Sequence, residues 1–183
     1  MSQRVFTPFP TLRTQRLTLR QLKLNDEKQV FSLRSDSAIN KYLDRQIAET
    51  IDDATHFINK VNENVTRNNA LYWAIVFSGD DVLIGTICLF NFSQEKDRCE
   101  IGYELVTAYQ GKGIMAEAME EVVNYAFNTL KLHTIEALSH RDNLPSKNLL
   151  AKFQFRDVNQ PDKFDTALVC YHLTKPDTIQ SLH

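Results

Sequence analysis

The sequence predicts an α+β fold, a mixed and mostly antiparallel central sheet flanked by helices, and three observations carry that expectation. Strand-like runs follow one another at hairpin distance in the middle of the chain, at Leu71 to Phe77, Val82 to Phe92 and Arg98 to Val106. Directly after them, Met115, Ala118, Met119, Val122, Val123, Ala126, Phe127 and Leu130 recur at intervals of three and four, as the buried stripe of a helix does. With 183 residues, 43% apolar and 24% charged, the chain suits one hydrophobic core, so a single domain over 1–183 is expected.

Taken in order, Leu17-Thr18-Leu19-Arg20 alternates apolar and polar residues like a half-buried strand. Asn25 then offers a helix cap, with Asp26 and Glu27 suiting the positive end of the helix dipole. Thr50 begins a second helix to about Asn68, whose stripe is Ile51, Ala54, Phe57, Ile58, Val61 and Val65. Ser78-Gly79-Asp80-Asp81 is a hairpin-type turn, so the three central strands form an antiparallel meander. After the long helix, Thr134 to Ser139 is a strand and Leu144 to Lys152 a short helix with Pro145 in its first turn. Thr166 to Leu173 closes the chain as a strand able to pair across a dimer, leaving monomer and homodimer both open. A strand, helix, strand unit after Arg98 requires one parallel pair in the sheet.

Several function classes are excluded by composition. A net charge of −2 and a pI near 6.2 give no basic field for nucleic acid. No apolar run approaches the roughly 20 residues that cross a bilayer, and Met1 to Pro10 has no signal-peptide core, so a cytoplasmic protein with no membrane partner is expected. Cys88, Cys99 and Cys170 lie far apart within strand-like runs, which suggests buried free thiols and no metal site.

The segment that carries chemistry is Tyr109-Gln110-Gly111-Lys112-Gly113-Ile114-Met115, where a glycine-rich turn joins a strand end to the long helix. Glycines let backbone approach a ligand, and the first amides of a helix lack internal partners, so such a turn is built for a phosphate or pyrophosphate. Ile114-Met115 follows Gly113 where a Walker loop would have Lys and then Ser or Thr, and the third glycine of a dinucleotide turn is absent.

With its surroundings this segment resembles the GNAT superfamily of N-acetyltransferases, and within it the RimJ/RimL-like branch that acetylates ribosomal-protein N-termini. The resemblance spans about 12–173. Leu12 to Arg20 resembles the branch's first strand, Ser35-Asp36 to Leu43 the following helix and Ile84-Gly85-Thr86-Ile87 the third strand. Glu100-Ile101-Gly102-Tyr103 and Gln110-Gly111-Lys112-Gly113 resemble the fourth strand and pyrophosphate loop. Asn143-Leu144-Pro145-Ser146, with Leu149 and Lys152-Phe153-Gln154-Phe155, resembles the closing motif.

The resemblance implies the GNAT fold, with a splayed parallel pair at the cofactor site, and an acyltransferase that moves acetyl from acetyl-CoA to an amine, without a metal. The acceptor would be a protein N-terminus or a small molecule, met by Ser35 to Asp53 and Asn159 to Asp165. It implies that Leu105, Val106 and Thr107 lie beside pantetheine, that Gln110, Gly111, Lys112, Gly113, Ile114 and Met115 hold pyrophosphate, and that Asn143 and Ser146 line the other side. Lys112 and Lys147 would help neutralise phosphate.

Chemistry then needs a base for the ammonium proton, an oxyanion donor and an acid for the thiolate. Glu100 is the first candidate base and Glu104, on the same face by period-two alternation, the second. A backbone amide near Leu105 can meet the oxyanion. Leu150 stands where many members carry an acidic tyrosine, which leaves Ser146, Tyr103 or water to protonate sulfur. Met115 replaces the loop's usual small residue and must point into the core. The competing reading is an acyl-CoA-binding sensor or structural module without turnover, for which Leu150 is the support.

Overall fold

The computed structural model describes residues 4–43, 45–93, 97–161 and 167–175. Leu12 to Arg20 is two short strands, β1 (Leu12–Arg13) and β2 (Leu17–Gln21), folded against each other through a turn closed by Thr14 N–H on Leu17 C=O at 2.9 Å. Helices α1 (Glu27–Ser35), α2 (Ser37–Asn40) and α3 (Ile51–Thr66) follow. The meander is β3 (Leu71–Phe77), β4 (Gly85–Ser93) and β5 (Arg98–Leu105), antiparallel as expected. Then come α4 (Ile114–Asn124), β6 (Thr134–His140), α5 (Leu144–Lys152), β7 (Arg156–Pro161) and β8 (Leu168–Thr174).

The described strands make one sheet in the order β1-β2-β3-β4-β5-β6-β8-β7, in which β5 and β6 are the parallel pair. This is the mixed, helix-flanked sheet that the sequence predicts. On one face, Trp73, Ile87, Leu89 and Ile101 pack with Met119 and Val122 of α4 and Leu150 of α5. On the other, Ala74 packs with Leu33 of α1 and with Ala54 and Ile58 of α3. Helix α3 begins on the expected Thr50, whose hydroxyl accepts from Asp53 N–H while Asp53 answers the Thr50 amide.

Four expectations need correction. Asp26 does not serve the α1 dipole: its buried carboxylate takes both arms of the Arg20 guanidinium, at 2.7 and 2.8 Å, and Lys23 N–H. That pairing lets Arg20 sit buried where simple alternation would expose it. Val82 to Ile84 lies before β4 rather than in it, and the long helix ends in a π-type turn over Tyr125–Thr129. Strand β7 was not anticipated, because Arg156 to Pro161 is polar and ends in proline. With β7 on its outer side, β8 has no free edge for a dimer, and Thr166 lies outside the described residues.

Candidate active site

The site starts from a break in the sheet. Parallel pairing between β5 and β6 covers Arg98–Thr134, Cys99–Ile135 and Glu100–Glu136 and then stops, although β5 continues to Leu105 and β6 to His140. Val106 N–H donates to Ile84 C=O at 2.9 Å, on the β4 side. Because amides alternate sides along a strand, those of Tyr103 and Leu105 face the gap beside β6 without a strand partner. An extended amide-bearing chain could take their place there.

The glycine-rich turn stands at the open end of this gap. Thr107–Tyr109 is a single 3-10 turn, and the Gln110 side-chain amide donates to Leu105 C=O at 2.9 Å, tying the turn to the strand. Gln110 N–H is already committed to Thr107 C=O at 3.1 Å. Gly111 and Gly113 have φ of 72° and 74°, in the left-handed region that disfavours a Cβ, and Gly113 is the α4 N-cap without a side chain to cap it. The first helical bond runs from Glu117 N–H to Gly113 C=O at 3.0 Å, so Ile114, Met115 and Ala116 open the helix with uncapped amides. Met115 points into the core as the sequence required.

Two residues that sequence reasoning missed brace this loop. The Glu117 carboxylate accepts from Thr14 Oγ1, Arg16 N–H and Arg16 Nε, while Arg16 Nη1 donates to Lys112 C=O at 3.3 Å. Burial alone would raise the Glu117 carboxyl, but the Thr14 hydroxyl and the Arg16 amide and guanidinium outweigh it and hold it below the usual range. Arg16, paired with Glu117, therefore lies against the backbone of the glycine-rich turn at Lys112. Lys112 lies over the Tyr109 ring at 5.7 Å, and Lys147 Nζ donates to Arg141 C=O at 3.3 Å.

Helix α5 forms the far wall. Asn143 Oδ1 accepts from Ser146 N–H at 3.2 Å, so Asn143 caps the helix. Ser146 and Leu150 are one turn apart on one face: Leu150 is fully buried in the core, and Ser146 Oγ lies 2.8 Å from Tyr103 Oη. This contact bridges β5 to α5. Burial pushes the Tyr103 phenol up to about 12, partly opposed by Ser146, so its proton stays on at neutral pH.

On the opposite face, Glu100, Gly102 and Glu104 alternate along β5 as expected. Glu100 and Glu104 are four residues apart, about 13 Å along an extended strand, so they do not share one reacting atom. Glu100, half-buried, accepts from the exposed Asn91 Nδ2 at 2.8 Å. Glu104, with its side chain 7% exposed, pairs with Arg45 Nη2 at 2.6 Å and accepts from Thr86 Oγ1 at 3.2 Å. Thr86 in turn meets Tyr72 Oη at 3.2 Å, and Arg45 Nε donates to Asn40 Oδ1 at 2.6 Å.

Arg45 lies within the stretch expected to shape the acceptor pocket, and Tyr42 of the same stretch stacks on His140 at the end of β6, ring centroids 5.1 Å apart. These two contacts hold the segment after α2 across the mouth of the gap. The second expected stretch runs from Asn159 to Pro161 in β7 and then falls outside the described residues.

Cys88 Sγ donates to Gly102 C=O at 3.5 Å, and burial, with help from Glu104, pushes its thiol up to about 12, too high for a thiolate nucleophile. Glu136, Cys170 and His172 converge beside β5, but Arg98 and His172 already hold Glu136 as an ion pair and hydrogen bond. A concavity of 990 Å³ runs along α4 from Gly113; Glu117, Glu120 and Glu121 line it, which makes it a poor wall for phosphates.

The acetyltransferase (GNAT) domain family matches residues 16–156. The uncharacterized N-acetyltransferase p20 of Bacillus licheniformis is 35% identical over 147 residues, 80% of this chain and 82% of that one. Mycobacterium smegmatis RimJ in complex with CoA-disulfide superposes with a TM-score of 0.77 at 18% identity, over 90% of this chain and 84% of that one. The ribosomal-protein-S5-alanine acetyltransferase of Vibrio fischeri superposes with a TM-score of 0.75 at 20% identity, over 92% and 98%. At such identities the two structures speak for the fold alone.

Proposed function

Because the chain belongs to the GNAT acetyltransferase family, we propose that it transfers acetyl from acetyl-CoA to a primary amine at the gap between β5 and β6. The observation that carries this reading is the loss of parallel pairing beyond Glu100, with the Ser146 to Tyr103 contact spanning the opening. The unpaired amide of Tyr103 suits an amide carbonyl of pantetheine, with Leu105, Val106 and Thr107 next along the chain beside it. Gly111 to Met115, with Arg16 and Lys112 beside them, suit the pyrophosphate. Asn143 acts by capping α5 so that Ser146 faces the gap.

Each step then has a residue. The Leu105 N–H meets the oxygen that gains charge when the amine nitrogen attacks the acetyl carbon, as a fixed dipole needing no reorganisation. As the carbon to sulfur bond breaks, Ser146 gives its proton to sulfur and recovers one from the Tyr103 phenol, which water refills, while the nitrogen sheds its surplus proton to water as the amide forms. Glu100 takes the ammonium proton through water, since its half-buried carboxylate accepts from a neutral amide and has no cation locked to it among the described residues. Glu104 is committed to Arg45 and Thr86, so its part is to anchor Arg45 at the acceptor face. The acceptor is a protein N-terminus or a small amine. Among the described residues no helix is long and apolar enough to cross a membrane, which is consistent with a cytoplasmic setting.

Incubating the protein with acetyl-CoA and a panel of N-terminal peptides and small amines tests this reading. Free thiol should appear in step with a mass gain of one acetyl group on an acceptor. Thiol release no faster than without protein across the panel would contradict it.

A further inference from the structure

Beside the proposed acceptor face lies a second hollow, 330 Å³ in volume, between α1, α3 and strands β3 and β4. Its walls combine Phe57, Val61, Tyr72 and Phe90 with two cations, Arg34 and Arg45. Register places it next to the reaction face: Cys88 and Phe90 pair across β4 with Gly102 and Glu100 of β5. A Cβ on Gly102 would lie 3.2 Å from Cys88 Sγ and 3.4 Å from Phe90, so the glycine is what lets these two walls lean over β5.

The charges in this hollow do not balance. Arg45 is answered by Glu104 at 2.6 Å. Arg34 has no hydrogen-bonded or ionic side-chain partner among the described residues, and its guanidinium carbon lies 3.9 Å over the Phe57 ring. Stacking covers one face of the guanidinium and leaves its N–H edge available in the plane, the geometry that grips a carboxylate with two parallel bonds. Burial and then the neighbouring Arg45 lower the Arg34 pKa, outweighing the opposing pull of Glu104, whose carboxylate is hydrogen-bonded to Arg45 and not to Arg34. Two arginines and one glutamate leave a net positive charge in a cup whose other walls are mostly apolar, Asn64 apart.

We propose that this hollow binds an anionic group of the acceptor, so that the preferred substrate is an amine that also carries a carboxylate, gripped by the edge of Arg34 while its apolar body lies among Phe57, Val61 and Phe90. The inference rests on the proposed acetyl transfer and adds the chemical class of acceptor. A free amino acid and a peptide with an acidic residue near its N-terminus offer the same chemistry. The apolar cup would discriminate against polyamines, whose extra cations meet Arg34.

Matched pairs test it: phenylalanine against phenylalanine amide, and peptides with Asp against Asn at the second position, followed by thiol release. In parallel, calorimetry measures the N-acetylated member of each pair with CoA present, a readout that does not need turnover. One pair should favour its anionic member by on the order of tenfold or more, identifying the source of the carboxylate. Arg34→Gln should remove that preference, bringing the anionic member down to its neutral partner, and Arg34→Lys should retain part of it. Equal values within both pairs, no measurable binding by any member, or a preference that survives Arg34→Gln overturns the inference. Thiol release with neutral amines in that case would leave acetyl transfer standing, whereas its absence with every amine would remove both.

Discussion

At Ser146 and Tyr103 the proposed chemistry rests on two hydroxyls 2.8 Å apart. Ser146→Ala should lower kcat by about 10²-fold or more while leaving acetyl-CoA affinity nearly unchanged, because a proton donor contributes at the transition state. Tyr103→Phe should cost less, since water can refill serine. The phenol stays protonated up to about 12, so no falling limb of the wild-type kcat profile below about pH 10 should belong to it. A limb between pH 7 and 9 that vanishes in Tyr103→Phe would contradict this. Leu150 gives a complementary test. Its side chain is fully buried, so Leu150→Tyr should overpack the core and lower stability by about 1–3 kcal/mol in denaturant titration, without raising kcat. A faster Leu150→Tyr enzyme would mean that α5 presents this position to the gap. None of this geometry was readable from the residues alone: spacing puts 146 and 150 on one helical face, but only the packed sheet decides which of them meets the core.

Among elements, the turn before α4 is where the proposed cofactor binding meets stability. Gly111 and Gly113 adopt left-handed φ, and a Cβ at Gly111 would meet nothing within 4 Å, so Gly111→Ala is resisted by backbone conformation alone. That substitution should cost about 1–2 kcal/mol of stability and weaken acetyl-CoA in calorimetry, and unchanged affinity in the Gly111, Gly113 double substitution would remove the loop from the site. Glu117 staples the same turn to β1 and β2. Its carboxyl is depressed in the folded state, so its contribution is complete above the unfolded value of about 4.3 and is lost as pH falls through the lower folded value. The drop in urea midpoint from pH 5 downward should therefore be shallower in Glu117→Gln than in wild type. Equal slopes would show the staple to be energetically idle. The glycine turn was legible because its residue types are dictated by local backbone. Arg16 and Glu117 were not, because their meeting joins positions 101 residues apart in the chain.

Over the whole molecule, a helix must leave the sheet after β5 and a parallel strand must return. Parting of β5 and β6 past Glu100 places the turn's uncapped amides, the α5 hydroxyl and the carboxylate face around one opening. The meander and the stripes of α3 and α4 were legible from periodicity, since local burial writes them into the sequence. Strand β7 and the Tyr72–Thr86–Glu104–Arg45–Asn40 network were not, because polar residues are admitted to such places only by partners distant in the chain. Amide hydrogen exchange with and without acetyl-CoA most directly tests whether this opening is the site. Slowed exchange should be confined to the amides of Tyr103 and Leu105, the turn from Gly111 to Ala116 and the first turn of α5. Protection along the acidic concavity beside Glu120 and Glu121, with Tyr103 and Leu105 unchanged, would place acetyl-CoA elsewhere and contradict the central claim.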